Sequence, residues 1–147
     1  MSPFASGRRG FCRMSLASAA LVGVPVAAGR AQGNGNLTVH ALDATIGQPA
    51  AGVVVELFDV SGEEPRKIAR AVTDDDGRAD VITGSPIVVG RYELRFAVAD
   101  YFRKRGGVAL GDPPFLDVVP MRLYLDNPAG SYGMPMVFTP WSYAMYR

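Results

Sequence analysis

Residues 91–99 read RYELRFAVA, which is the cleanest two-residue alternation in the sequence. Its apolar positions Tyr92, Leu94 and Phe96 alternate with charged residues, among them Glu93. This pattern predicts a half-buried strand whose apolar side chains face a core and whose charged side chains, Glu93 included, face solvent. Such strands are typical of antiparallel sheets with one solvated face. The strand therefore needs partners that supply the other half of the core.

Six further stretches have the composition of strands, and turn residues separate them. TDDDGR and DNPAGS are two of these turns, rich in the Asp, Asn and Gly that tight bends favour. Seven or eight short strands with regular turns predict an all-β sandwich. The six stretches are residues 37–43, 52–60, 66–73, 79–83, 115–125 and 131–147, the last of which predicts one strand or a pair.

One stretch, DYFRKRG at residues 100–106, predicts a short helix. Asp100 is suited to its N-cap and Gly106 to its C-terminal end. Pro120 lies inside a predicted strand and indicates an edge position or a bulge, because proline offers no N–H to a sheet ladder. The predicted strands and this helix make one domain.

The N-terminal segment has a different composition. Residues 1–31 contain four arginines and no acid, and residues 14–28 are mostly small and apolar. This combination predicts a cleaved signal peptide over residues 1–31, and the pair Arg8-Arg9 indicates the twin-arginine type. The apolar run is too short to span a bilayer, so no membrane span is expected. The domain is predicted to occupy residues 32–147 and to be periplasmic or secreted. The alternative for residues 1–31 is a disordered basic arm instead of a signal peptide.

Charge and composition exclude several function classes. Residues 32–147 keep 11 of the 15 basic and all 14 acidic residues, a net charge near −3 that argues against a nucleic-acid partner. The single cysteine, Cys12, lies in the predicted signal peptide, so no disulfide is expected. The single histidine, His40, cannot form a zinc site with other His or Cys ligands. No metal and no cofactor are predicted.

Four blocks of sequence occur in a distinctive order and spacing: residues 37–58 (LTVHALDATIGQPAAGVVVELF), 73–78 (TDDDGR), 101–106 (YFRKRG) and 132–147 (YGMPMVFTPWSYAMYR). Together they resemble the transthyretin-like family of 5-hydroxyisourate hydrolases over residues 37–147. The resemblance implies a transthyretin-like sandwich of seven to eight strands with one short helix. It also implies a homotetramer, built as a dimer of dimers, with active sites in the channel between the dimers.

The resemblance further implies which residues form the site. The family's first-strand histidine corresponds to His40 in VHALD, and its turn arginine to Arg78 in DDDGR. These two are implied to be catalytic and to bind the substrate together with Tyr146 and Arg147 of the closing motif. Gly133 stands where the family has a late catalytic histidine, and the family's closing Gly-Ser has no counterpart in this sequence.

The implied reaction opens the six-membered ring of 5-hydroxyisourate, a purine-derived small molecule of urate breakdown, by adding water to a ring carbonyl. It needs a base to activate water, a cation beside the developing oxyanion and donors that hold the ring. Imidazole suits the first task and is implied for His40; a guanidinium suits the second and is implied for Arg78. Tyr146 is implied to orient the ring. A single strand histidine is also compatible with a purely structural role.

Two other functions stay open at this point. The first is a non-catalytic, transthyretin-like protein that binds a small molecule in the periplasm. The second is a structural secreted sandwich without a small-molecule site. The presence of His40, Arg78 and Tyr146 favours a hydrolase, whereas Gly133 favours reduced hydrolase activity or a binding protein.

The last predicted strand also bears on assembly. Met134, Met136, Phe138 and Trp141 make it too hydrophobic for an uncovered edge. Self-association is therefore expected to cover these side chains, in agreement with the tetramer that the resemblance implies.

Overall fold

A computed structural model describes residues 33–147 of the 147-residue chain. The predicted signal peptide, with its Arg8-Arg9 pair, lies outside the described residues. Within them the chain forms nine strands, two of them very short, and one helix. In chain order the elements are β1 (Gly35–Asp43), β2 (Gln48–Pro49), β3 (Val54–Asp59), β4 (Arg66–Val72), β5 (Arg78–Ser85), β6 (Gly90–Ala97), α1 (Val98–Arg105), β7 (Val118–Leu125), β8 (Ser131–Phe138) and β9 (Tyr143–Met145).

The strands form two sheets, so the predicted all-β sandwich with one short helix is confirmed. The first sheet has the order β2-β1-β8-β9, and β5 also pairs with β1, on the side opposite β8. The second sheet has the order β4-β3-β6-β7. Strands β1 and β8 run parallel, and every other described pair is antiparallel. Pro120 lies in β7, which is an edge strand as predicted.

The core lies between the sheets and is built by alternate residues of their strands. In β1, residues 37, 39 and 41 are buried while the residues between them are partly exposed. In β6, Tyr92, Leu94 and Phe96 are buried, as the alternation predicts. In β8 the even-numbered residues face the same core. The inner faces therefore leave the outer face of each sheet free for polar side chains.

The prediction that self-association covers the apolar side chains of the last strand is wrong for three of its four residues. Met134, Met136 and Phe138 are buried in the protein's own core, because they are the inward-facing positions of β8. Only Trp141 of that set remains exposed, at 58%.

Glu93 is also placed differently from the prediction. It lies on the outer side of β6, but it is only 5% exposed rather than open to solvent. The Nε groups of Arg122 and Arg95 each donate to its carboxylate at 2.7 Å. These two hydrogen bonds, first that of Arg122 and then that of Arg95, lower the pKa of Glu93. The two arginines cover a carboxylate that a period-two pattern assigns to water.

The helix begins earlier than the sequence predicts. It starts at Val98, with Ala97 in the N-cap position and no side-chain cap, so the N-cap prediction for Asp100 is wrong. Asp100 instead lies in the first turn and pairs with Arg103 at 2.9 Å. The C-terminal prediction is confirmed, because Gly106 follows the helix with φ of 72°.

A buried carboxylate attaches the helix to the first sheet. Asp43, at the end of β1, is fully buried and accepts a hydrogen bond from the Tyr101 hydroxyl at 3.0 Å. The N–H of Thr45 donates to it at 2.8 Å, and the Nε of Arg105 lies 3.1 Å away. Burial, followed by the hydrogen bond to Asp43, raises the pKa of Tyr101 to about 12. The helix is thus held over the end of β1 by paired polar groups as well as by packing.

Candidate functional site

The turn before β5 determines where Arg78 leaves the backbone. The Oδ1 atom of Asp74 accepts a hydrogen bond from the Arg78 N–H at 2.8 Å. Gly77 has φ of 71°, and a Cβ there would collide with the carbonyl oxygen of Ala41, so glycine is required. The Ala41 N–H donates to the Gly77 carbonyl at 2.8 Å, which fastens the turn to β1. As a result, Arg78 begins β5 directly opposite His40.

One row of residues crosses the outer face of the first sheet. Arg78 pairs with His40 of β1, and His40 pairs in turn with Pro135 of β8. Beyond β9, the Tyr146 N–H donates to the Pro135 carbonyl at 3.4 Å and continues the row. His40 is half-buried, while Arg78 and Tyr146 are exposed. The structure therefore brings three of the predicted site residues together from three separate parts of the fold.

A second row lies one step along the same face. Thr38 of β1 stands between Asp80 of β5 and Gly133 of β8. Gly133 has an open outer side: the nearest atom to a Cβ built there is the Thr38 Oγ1 at 3.9 Å. The position that matches the family's late histidine thus has room for a side chain.

Residues of both rows, but not Asp80, line an open groove of about 360 Å³. Its chemistry is that of a site for a polar ring: it offers an imidazole, guanidinium donors, hydroxyl groups and the apolar surface of Pro135. Among the described residues, no Asp or Glu side chain contributes to this lining. The groove therefore favours electron-rich oxygens over cations. Its lining residues are Thr38, Val39, His40, Arg78, Gly133, Met134, Pro135, Tyr146 and Arg147.

Arg147 borders the groove, but its guanidinium has a separate partner. The guanidinium carbon lies 5.1 Å from the ring centroid of Tyr132, a buried residue of β8. The Tyr132 hydroxyl donates to Asp126 Oδ1 at 2.6 Å and accepts the backbone N–H of Asn127 at 3.0 Å. This bond from Tyr132 is the main cause that lowers the pKa of Asp126, and the charge of Arg147 adds to it.

The described residues offer neither a metal site nor a membrane-spanning helix. Within residues 33–147, no group of three or more His, Cys, Asp or Glu side chains is placed to hold a metal ion. Also within these residues, no helix has the length and apolar character needed to cross a membrane.

Comparison with known proteins gives the groove its context. Residues 37–147 match the HIUase/Transthyretin family, which is the whole sandwich from β1 onward. This chain belongs to that family. Among HIUase/transthyretin relatives, the 5-hydroxyisourate hydrolase of Deinococcus radiodurans is 49% identical over 117 residues, covering 78% of this chain and 97% of the relative.

Solved structures agree with the fold of this HIUase/transthyretin chain. The crystal structure of (S)-allantoin synthase superposes with a TM-score of 0.71 at 36% identity, covering 79% of this chain and 44% of that one. Sea bream transthyretin, solved in complex with thyroxine, gives a TM-score of 0.64 at 27% identity, covering 75% of this chain and 92% of its own.

Sequence reasoning missed part of the groove in this HIUase/transthyretin chain. Thr38 was not predicted as a site residue, although the alternation of β1 puts it on the same face as His40. Pro135 was also missed; its contribution includes a carbonyl that holds Tyr146, and no side-chain motif reveals such a contact.

Proposed function

We propose that this protein hydrolyses 5-hydroxyisourate in the groove on the outer face of its first sheet. The observation that carries the proposal is the convergence of His40, Arg78 and Tyr146 on one concave surface from distant parts of the chain. Membership of the HIUase/transthyretin family and the 49% identity to a 5-hydroxyisourate hydrolase support the same reaction. The groove's polar lining suits a small ring with several carbonyl and N–H groups.

The geometry supports a division of labour along the first row of the groove. His40 takes a proton from water, and the resulting hydroxide adds to a ring carbonyl carbon. Arg78, directly beside His40, stabilises the negative charge that develops on the carbonyl oxygen. The ring C–N bond then breaks, the proton passes from His40 to the departing nitrogen, and the new carboxylic acid releases its own proton to solvent to leave a carboxylate. Tyr146, at the other end of the row, holds the ring by hydrogen bonding.

The electrostatics of Arg78 suit this role. Within residues 33–147 its guanidinium makes no ion pair, unlike the arginines beside Glu93. Its donors are therefore available to a substrate oxygen. The neighbouring Asp80 belongs to the second row and does not line the groove.

The direct test is the ultraviolet decay of freshly prepared 5-hydroxyisourate with and without the protein. A catalysed decay proportional to protein concentration is expected. The matched control is Arg70→Ala, which removes an exposed arginine from the other sheet and should leave the rate unchanged. Decay at the spontaneous rate with folded protein would reject the hydrolase proposal.

A second function is favoured by one observation, the open space above Gly133. A protein that only binds a small molecule in this groove needs no second imidazole, and sea bream transthyretin is a relative that has been solved with thyroxine. The test is calorimetric titration with 5-hydroxyisourate analogues that cannot be hydrolysed. Detectable binding of such an analogue by a protein that shows no turnover of 5-hydroxyisourate would favour this binding function.

We also propose a homotetramer in which subunits cover the groove. The support is the exposure of Trp141 at 58%, Tyr143 at 47% and Tyr146 at 53%, all near the short edge strand β9. Aromatic side chains of this kind are enriched in protein interfaces. Multi-angle light scattering should give four times the monomer mass, and a monomer at micromolar concentration would reject the assembly.

For residues 1–31 we propose export with cleavage near Ala28 or Ala31, which would place the domain in the periplasm or outside the cell. The support is the sequence alone, namely the Arg8-Arg9 pair and the apolar run that follows. Mass spectrometry of the exported protein should find a new N-terminus near Gln32. An intact Met1 in folded, exported material would contradict the proposal.

A further inference from the structure

The register of β8 and β9 places the side chains of Tyr146 and Arg147 on opposite faces of the sheet. Met136 pairs with Met145 and Val137 pairs with Ala144. Continued by the hydrogen bond from the Tyr146 N–H to Pro135, this register puts Tyr146 beside an outward-facing residue. The next residue, Arg147, is then opposite a position that faces the core, because side chains alternate along a strand.

The position of the Arg147 guanidinium agrees with this register. It lies 5.1 Å from the ring centroid of Tyr132, and Tyr132 is an inward-facing residue that is only 3% exposed. A guanidinium within about 6 Å of an aromatic centroid is attracted to the ring face. The cation of Arg147 is therefore directed to the inner side of the sheet edge, whereas His40 and Arg78 act from the outer side.

A carboxylate strengthens this placement. Asp126 accepts the Tyr132 hydroxyl at 2.6 Å and is close enough to Arg147 for the positive charge to act on it. The Tyr132 side chain thus contacts two charged groups: its hydroxyl bonds to the Asp126 carboxylate, and the Arg147 guanidinium lies over the face of its ring. Tyr132 is itself fixed, because its hydroxyl also accepts the N–H groups of Asp126 at 3.2 Å and Asn127 at 3.0 Å.

We infer that Arg147 is a positioning residue whose guanidinium, held over the ring of Tyr132, keeps Tyr146 hydrogen-bonded to Pro135 at the wall of the groove. This inference rests on the proposed function only for its kinetic consequence. It revises the role expected for Arg147, since a guanidinium anchored on the inner side acts on the substrate through Tyr146 rather than by contact. The arginine of the closing pair then differs in function from Arg78.

The kinetic test is a double-mutant cycle on 5-hydroxyisourate turnover. Arg147→Ala should raise KM about two- to fivefold, the population change that loss of one exposed cation–π contact produces. The value of kcat should change little, because His40 and Arg78 remain in place. In a Tyr146→Phe background, Arg147→Ala should add no further rise. Equal effects in both backgrounds would overturn the inference, because they would mean direct contact between Arg147 and the substrate.

A structural readout separates this inference from the proposed function. Amide hydrogen exchange of Tyr146, corrected for the intrinsic rate of the local sequence, reports its bond to Pro135 without any substrate. Asp126→Asn leaves both neighbours of that amide unchanged and affects an exposed side chain, so the fold should persist. Protection of the Tyr146 amide should fall about two- to fivefold in Arg147→Ala, and in the same direction in Asp126→Asn.

Unchanged protection in both variants would overturn the inference even if the enzyme were active. Reduced protection in a protein that fails to hydrolyse 5-hydroxyisourate would support the inference and reject only the proposed function. Arg70→Ala, on the other sheet, is the matched arginine control and should alter neither protection nor KM.

Discussion

Gly133→His is the perturbation that most sharply tests the chemistry of the groove. A Cβ at this position meets no atom closer than the Thr38 Oγ1 at 3.9 Å, which is ordinary van der Waals contact. Gly133 does not have a left-handed backbone, so histidine can take its place without strain. The new imidazole would lie on the same face as His40.

The size of the effect follows from the register. Gly133 pairs with Thr38, so its diagonal neighbour two residues along β1 is His40. Neighbouring strands lie about 4.8 Å apart and two residues advance a parallel strand by about 6.6 Å, so the two positions are about 8 Å apart, which lets two imidazoles reach the same small ring from different sides. One well-placed acid or base contributes about 10² to 10⁴ in rate, and we expect an increase of at least tenfold in kcat. Stability should also rise by about 0.5 to 1 kcal/mol, because a glycine is removed from a strand.

The assay is the decay of 5-hydroxyisourate under saturating substrate, with thermal unfolding measured in parallel. Gly133→Ala is the control for the backbone effect: it should gain the stability and none of the rate. Ser131→His is the control for position, since it puts an imidazole on the same strand and face but outside the groove. A folded Gly133→His protein with the wild-type rate, or an equal gain in Ser131→His, would refute the reasoning that a second imidazole in this row takes part in catalysis.

Three further predictions concern the site and the fold. His40→Ala and Arg78→Ala should each lower kcat/KM by about 10² or more while the thermal midpoint stays nearly constant, because both side chains lie outside the core; a variant that unfolds instead would indicate a structural role. Glu93→Gln should cost about 1 to 3 kcal/mol at pH 7 through loss of charged hydrogen bonds. Because the folded pKa of Glu93 lies below its usual 4.5, this difference should be present above pH 4.5 and disappear as the pH falls through the lowered value; urea unfolding across acidic pH measures it. The pKa of Tyr101 is raised in the folded protein from 10.0 to about 12, so its contribution is complete below pH 10 and is lost as the pH rises to about 12. Tyr101→Phe should therefore be less stable than wild type at neutral pH but lose less stability over that alkaline range, and equal alkaline losses would contradict the assignment.

Much of the fold could be predicted because its strands carry a period-two pattern. Burial on one face forces the alternation seen at residues 91–97, and the inward positions Tyr92, Leu94 and Phe96 are confirmed. The turn before β5 could also be predicted from its sequence, since Gly77 has the left-handed backbone conformation that glycine adopts most readily. The family resemblance predicted that His40, Arg78 and Tyr146 belong to one site, and the structure brings these three residues to one groove.

The predictions that failed depended on contacts between distant residues. Glu93 is buried because an arginine from the next strand, Arg122, covers it, and no local pattern encodes that partner. The helix begins at Val98 because the apolar residues before Asp100 can be buried as a helical turn as well as in a strand.

The parallel pairing of β1 with β8 has a consequence for how the protein is made. It joins residues about 95 positions apart, such as Thr38 and Gly133, and the groove lies across that junction. Such a long loop must close before the pair gains any contact energy, so this step is expected to be late and slow. On the ribosome, the groove cannot form while β8 is still inside the exit tunnel. The nascent domain therefore holds β1 with one unpaired edge through most of its synthesis, and an unpaired strand edge is prone to aggregation until its partner arrives.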